Sequence, residues 1–500
     1  LKAISYVEIR KCFLKGEGIE MITFLVSIVV LIIGYFTYGK LIEKIFGVNY
    51  SRKTPAYVNQ DGIDYVPMDR RENSMIQLLN IAGTGPIFGP ILGALYGPVA
   101  FVWIVIGAIF AGAVHDYLTG MISIRNKGAH IPELAGKFLG NAMRHIVNVF
   151  SLLLLVLVGT VFITTPASLL DIVLQGKVSI TIILSVIFIY YILSTILPID
   201  KIIGKIYPAL GALLLISAIG IGGMMIIKGS PIPELTFENM HPDNAPIFPL
   251  LMLTITCGAL SGFHATQSPI ISRTLQTEKH GRYVFFGMMI AEAIIAMIWA
   301  AAAMSIFSYG ELNELIKSGT PAAVVSEISK TMLGAVGGTI AVLGVIVLPI
   351  TSGDTAFRAA RSIIADYFHF NQTKLKNRLI IAIPLFVIAY GLTKIDFTLL
   401  WRYFSWANQS TAAIALWIGT MYLFIKGKQY IVSLIPAIFM TLMTVVYILN
   451  AKIGFNIPLN TSYIVGAVIT VILTAVFFMK AVRNRRENIE VDVQLEKEAV

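Results

Sequence analysis

The sequence predicts an all-α polytopic membrane protein of about thirteen transmembrane helices, ten of them forming two inverted five-helix repeats that each open on a broken helix. Three observations carry this. Of 500 residues, 56% are hydrophobic and 13% charged, about half the charged share of a soluble domain. Apolar runs long enough to cross a bilayer recur along the whole chain. Two of them, NIAGTGPIFGP (Asn80 to Pro90) and CGALSGFHATQSP (Cys257 to Pro269), are interrupted by small and helix-breaking residues. Backbone groups freed by such a break are tolerated in a membrane only where they line a polar cavity or meet a ligand, and a matched pair of breaks marks a secondary transporter.

The runs fall at roughly 22–46, 75–98, 99–124, 145–172, 180–197, 204–227, 247–268, 283–308, 335–351, 378–392, 398–425, 430–449 and 461–482. Residues 1–20 read as a non-native or disordered leader, because Met21 opens directly into the first run and Lys15-Gly16-Glu17-Gly18 is what a translated ribosome-binding site would give. Residues 21–48 form a peripheral helix and 49–74 a polar cytoplasmic loop. Residues 75–228 and 247–425 hold the two repeats, 429–483 two additional helices, and 484–500 a cytoplasmic tail. Lys and Arg concentrate in the loops near 47–74, 125–144, 269–282 and 352–378 and after Lys480, so these face inward, the C-terminus is cytoplasmic and the N-terminus outside. That pattern explains the net charge of +10 without nucleic acid, for which no basic patch with interleaved aromatics exists. The partners expected are a lipid bilayer and a small-molecule substrate; the oligomeric state is not legible. Cys12 and Cys257 are the two cysteines, which excludes a disulfide framework. Residues 318–334 suit a short amphipathic helix, with Ser318 or Thr320 as cap and Pro321 in its first turn.

Around the first break, Gly83 and Gly85 free the backbone while Pro86 removes a donor. A half-helix starting near Pro86 would point its N–H groups into the membrane, where a carboxylate is the natural occupant; close packing on a glycine surface is the alternative. Ala82, Gly83, Thr84, Gly85 and Pro86 are candidates at this end, and Ser261, Gly262, Phe263 and His264 at the second. An intramembrane histidine in a break can bind substrate, carry a coupling proton or bond a neighbouring helix. Asp116, beside His115, and Glu292 are costly in hydrocarbon unless paired or hydrated, so each is a candidate proton carrier. For Asp116 the alternative is an ion pair with Arg125. Thr351, Ser352 and Thr355 bring hydroxyls to one level, and with carbonyls of Ala82 and Gly85 would make an oxygen shell for sodium. Asp354 and Arg358 read as an i, i+4 ion pair. Arg402 can hold a carboxylate or snorkel to the interface. No cofactor beyond bound sodium is expected, and no HExxH, Walker A, CxxC or Rossmann pattern supports an enzyme.

TPAYVNQDGIDYVP (Thr54 to Pro67), IAGTGPIFGPILGALYG (Ile81 to Gly97), GAIFAGAVHDY (Gly107 to Tyr117), CGALSGFHA (Cys257 to Ala265) and GDTAFRAARSIIAD (Gly353 to Asp366) resemble the carbon starvation protein A (CstA) family of bacterial inner-membrane transporters in order and spacing as well as in letters. The resemblance covers most of residues 50–370. It implies relatedness to the amino acid, polyamine and organocation (APC) superfamily, hence a LeuT-like five-plus-five fold, and uptake of peptides or pyruvate during carbon starvation. The chain departs from the family at Met75 to Asn80, where a histidine is often found, at His115, where glutamine is familiar, and at Arg273, where lysine is. The expectation is therefore a proton- or sodium-coupled importer of a small carboxylate-bearing nutrient; a channel for organic anions and a nutrient sensor are the alternatives.

Overall fold

The computed structural model describes residues 21–493, apart from 63, 197, 198, 373 and 488; the expectation for residues 1–20 lies outside the described residues. Nothing but helices and loops occurs among them, save one isolated bridge between Met68 and Leu275. Helix α1 (Ile22–Phe46) is peripheral, with Ile22, Val29, Ile33 and Phe36 exposed. Its first turn is held by Glu234, whose carboxylate accepts from Ile22 N at 2.6 Å and Thr23 N at 2.9 Å, the sign of charge that a helix N-terminus favours.

The first broken span consists of α2 (Arg70–Ile81) and α3 (Gly85–Gly93), and the two halves bend by 47° across the break. Helix α2 starts before the apolar run does, because Asp69 caps it, accepting from Arg71 N at 2.6 Å and Glu72 N at 2.9 Å. Next come α4 (Val99–Ile124), the short α5 (Ile131–Leu139), α6 (Asn141–Leu174), α7 (Ile180–Ile196) and α8 (Ile199–Lys228). Helix α4 widens to a π-helical stretch at Gly107–Gly112.

The second break lies earlier than the sequence suggests. After the extended residue Phe248 the chain is helical to Thr254, leaves helical geometry from Ile255 to Ser261, and re-enters it as α9 (Gly262–Ser272). Gly258 provides the turn with φ +87°, a conformation glycine adopts without penalty. Phe263, His264, Thr266, Gln267 and Ser268 are consequently on α9, and Pro269 sits inside it.

Then follow α10 (Glu278–Ile306) and α11 (Tyr309–Phe368). Helix α11 is interrupted at Thr320 (φ 60°) and Gly334 (φ 72°). Between those points lies the amphipathic segment read from the sequence: Val324, Val325 and Ile328 are buried, Glu327 and Lys330 exposed. The remainder is α12 (Leu375–Leu392), α13 (Phe397–Ile425), α14 (Ile431–Asn450) and α15 (Leu459–Arg486).

Among the described residues, 8 helices are long and apolar enough to cross a membrane, or 9 with α2 and α3 taken as one span. The expected figure of about thirteen is larger because it also takes in shorter and more polar elements. Apolar Ile180–Ser194 and Ala212–Lys228 are short, α9 is half of a broken span, and α13 is diluted by Arg402, Asn408 and Gln409.

The two broken spans touch at their breaks. Gly85, Gly89 and Gly93 form a stripe at i, i+4, i+8 on α3, and the second span lies on it. A Cβ at Gly85 would fall on the Cys257 side chain, and one at Gly89 would come within 3.0 Å of Thr254 O. On the opposite side α4 closes in, where a Cβ at Gly107 would stand 3.0 Å from Ala259 and one at Gly112 would collide with the Ala259 carbonyl. The unwound segment is thus clamped between glycine faces of α3 and α4, so both readings of the first break apply: the helix is interrupted, and its glycines are packing surfaces.

Candidate functional site

His264 occupies the first turn of α9, and its imidazole is fully buried between two carboxylates from other helices. Its Nδ1 is 2.9 Å from Asp116 Oδ2 on α4, and its Nε2 is 3.4 Å from Glu292 Oε2 on α10. The other Asp116 oxygen is 2.7 Å from His115 Nδ1. All four side chains are 0% exposed. Glu292, His264, Asp116 and His115 therefore form a continuous string of titratable groups drawn from three helices. An imidazole whose Nδ1–H is committed to Asp116 presents Nε2 to Glu292, and gaining or losing one proton there decides whether that contact has a donor. Neither Glu292 oxygen has a hydrogen-bond partner of its own, a costly state for a buried carboxyl.

The Asp116–Arg125 ion pair weighed from the sequence does not form. Arg125 instead makes a bidentate pair with Glu278, both contacts at 2.9 Å, which leaves Asp116 to the histidines. Asp354 and Arg358 do pair, at 3.6 Å.

Cys257 Sγ, a His264 ring nitrogen and a Glu292 oxygen lie within 4.8 Å of one another and are the donors a metal would use. Metal bonds of about 2.0–2.3 Å place tetrahedral ligands roughly 3.5 Å apart, so the set would have to contract. As it stands, Cys257 Sγ is 3.4 Å from Ser261 Oγ.

The start of α9 is already capped. Asn408 Oδ1, from α13, accepts from Phe263 N at 2.7 Å and from Ser261 Oγ at 3.2 Å, and Gly262 lies against the α13 backbone at Asn408 and Ala412. Ser261 and Gly262, candidate substrate contacts in the sequence, are therefore engaged by protein in this structure. Replacing Asn408 by alanine removes this cap and is expected to cost about 1–2 kcal/mol, read as a lowered thermal midpoint. Gly83 is similarly covered by the Phe162 ring, which meets Phe263 edge-on at 5.6 Å; Phe162 on α6 plugs the space between the breaks. Pro86 and Ala82 are buried at the two lips of the first break.

Unpartnered buried polar atoms gather on these same segments. They include both amide atoms of Gln77, Asn80 Oδ1 and Thr84 Oγ1 at the first break, Thr256 Oγ1 and Gln267 Oε1 at the second, and Ser405 Oγ and Asn408 Nδ2 on α13. Buried polar groups are ordinarily bonded, so this concentration is the chemistry that a polar solute would satisfy.

The hydroxyl set on α11 is partly drawn to the break. Ser352 Oγ donates to Leu79 O on α2 at 2.8 Å. Thr351 and Thr355 donate to carbonyls of their own helix, Leu348 at 2.7 Å and Ser352 at 2.9 Å. Arg402 is away from the breaks: it is exposed and lines a cavity of about 660 Å³ on the face opposite the C-terminal segment. Lys317, Asp243 and Trp401 share that cavity, whose walls reach Thr254 beside the second break.

Phe162, Gln77, Asn80 and Ser405 escaped the sequence reading. Only Asn80 had a local signal, standing beside the glycine run; the others are brought in by tertiary packing.

An all-helical membrane protein whose two interrupted spans cross at a buried, polar, titratable centre is a transporter of the broken-helix class. Solved structures agree on the fold. A manganese transporter of Eremococcus coleocola in complex with an aromatic bis-isothiourea compound superposes with TM-score 0.54 at 13% identity, covering 86% of this chain and 99% of that one. MhsT in complex with L-phenylalanine gives 0.53 at 13% identity, covering 83% and 99%. The chain belongs to the carbon starvation protein CstA family, whose model matches residues 19–241, 176–335 and 318–447. An uncharacterised membrane protein of Haemophilus influenzae is 45% identical over 61% of this chain and 96% of its own length. The peptide transporter CstA of Escherichia coli is 24% identical over 91% and 84%. The pyruvate/proton symporter BtsT of Escherichia coli is 28% identical over 59% of this chain, which spans 50% of that protein.

Proposed function

We propose that the chain is a bacterial inner-membrane importer that takes up a small carboxylate-bearing nutrient, a short peptide, amino acid or pyruvate, by alternating access coupled to protons. The observation that carries the proposal is the placement of His264 at the start of a half-helix, bonded to Asp116 and facing Glu292 at 3.4 Å. A proton accepted at this centre changes the bonding between α9, α4 and α10 at once, which gives it a route to bias one conformation over the other. The printed names of CstA and BtsT support peptides and pyruvate as the classes to test. The cavity reaching Thr254 is assigned to the outer side, with its aromatic and cationic lining as the entry path, and the C-terminal segment to the cytoplasm. Substrate would meet the unpartnered atoms of Thr84, Asn80 and Gln267.

Counterflow in proteoliposomes tests this: radiolabelled pyruvate, alanine and di-alanine are offered against an internal pool of each. Saturable accumulation of at least one supports the proposal; linear, non-saturable leakage would favour a channel, and no flux of any solute a sensor. A second reading, sodium coupling, is favoured by the bond from Ser352 to Leu79, which joins α11 to the broken span. On that reading Ser352→Ala abolishes sodium dependence; on the proton reading it leaves the pH dependence of uptake in place, as initial rates with and without sodium will show.

A further inference from the structure

The chain after α15 returns to the membrane face and is fastened there. Val491 is buried at 8% exposure, Val493 N donates to Arg125 O at 3.0 Å, and Lys137 Nζ donates to Val491 O at 3.4 Å. Between them the Asp492 carboxylate enters a cluster of donors. Lys426 Nζ is 2.7 Å away, Tyr422 OH donates at 2.9 Å, Arg52 Nη2 stands at 3.5 Å and Arg125 Nη1 at 3.8 Å. Burial pushes this carboxyl up, but the bonds from Lys426 and Tyr422 and the charge of Arg125 outweigh it and hold it below the ordinary range.

The groups that Asp492 joins come from elements that also meet directly, Arg125 Nη1 donating to Tyr422 OH at 2.9 Å, so the carboxylate reinforces a junction between them. Arg125 ends α4 in the first repeat, while Tyr422 and Lys426 end α13 in the second. Arg125 also reaches the start of α10 through Glu278 and the end of α1 through Gly47 O at 2.7 Å, and its guanidinium stacks on Phe46 at 4.2 Å. Any motion that parts α4 from α13 on this face must first break the Asp492 contacts. A rocking transporter requires such a parting to release substrate.

We infer that this face carries a built carboxylate site whose ligand is the chain's own Asp492, and that the segment 489–493 is a latch holding the cytoplasmic side shut. The inference rests on the alternating-access reading and on the cytoplasmic assignment of this face. The latch is electrostatic and only partly buried, with Lys426 34% exposed, so it is displaceable and weakens with salt. A soluble anion of the same chemistry, a carboxylate or inorganic phosphate, competes for the site.

Cys257 reports opening without needing a substrate, since it lies at the crossing of the breaks and is 1% exposed. In a Cys12→Ser background, its alkylation by a small maleimide added to the cytoplasmic side is compared for the parent, for Asp492→Asn and for a chain stopped after Arg486. Both changes are expected to speed alkylation by about fivefold, the upper effect of losing a partly exposed ion pair. High salt and added phosphate should move the parent toward the variants. Equal rates in all three proteins, with no response to salt, would overturn the latch. Because the readout is independent of transported solute, failed counterflow with accelerated alkylation would refute the substrate proposal and keep the latch.

Discussion

Replacing His264 by alanine is expected to abolish gradient-driven uptake, a loss of at least about a hundredfold, the lower range for removing a positioned proton carrier. The residue is the only contact joining Asp116 to Glu292 among the described side chains, and without it two carboxyls are left buried with less compensation. Removing one member of a buried charged pair costs about 3–5 kcal/mol, so part of the effect will be on stability. His264→Gln separates the two contributions. Glutamine can keep a donor on Asp116 but cannot carry a proton, so substrate exchange at equal pH should persist while accumulation against a gradient disappears. Wild-type accumulation in either variant, measured in proteoliposomes with a matched amount of folded protein, would remove His264 from the coupling path.

Gly262→Ala should be nearly as damaging, for a different reason. The added methyl would fall on Asn408 O and Ala412 N of α13, both backbone atoms with no rotamer to move aside. Overpacking of this kind costs about 1–3 kcal/mol, and the displacement would act on the helix turn that carries His264 and on its Asn408 cap. A fall in the thermal midpoint together with lost uptake is expected. Gly223→Ala is the control: nothing lies within 4 Å of its built Cβ, and alanine favours a helix by about 1 kcal/mol over glycine. Equal behaviour of the two variants would show that the α9–α13 crossing tolerates space the structure does not contain.

Membrane class and broken-helix fold were legible because they depend on composition and on local backbone chemistry. Gly83, Gly85 and Pro86 mark the first break to within a few residues, and Thr320 and Gly334 bound the amphipathic segment where its cap and glycine suggest. The second break was misplaced because polar residues after Gly262 resemble a loop, whereas they belong to a short helix whose free N-terminal donor at Phe263 finds its acceptor, Asn408 Oδ1, on α13. Partners across the fold were not legible. Arg125 is nine positions from Asp116 and its partner Glu278 is far along the chain, so only three-dimensional packing decides which carboxylate it takes. The same holds for Phe162 against Gly83, and for Cys257 on Gly85, where a stripe of glycines announces close approach without naming what approaches.

The central claim is that transport is coupled to protons through the buried string Glu292, His264, Asp116 and His115. Simultaneous recording of substrate accumulation and internal pH in proteoliposomes, with the external solution more acidic and no sodium present, tests it most directly. The account predicts that each substrate that accumulates brings protons with it, acidifying the lumen in a manner that Asp116→Asn eliminates. Accumulation that needs sodium and leaves the internal pH unchanged would contradict it.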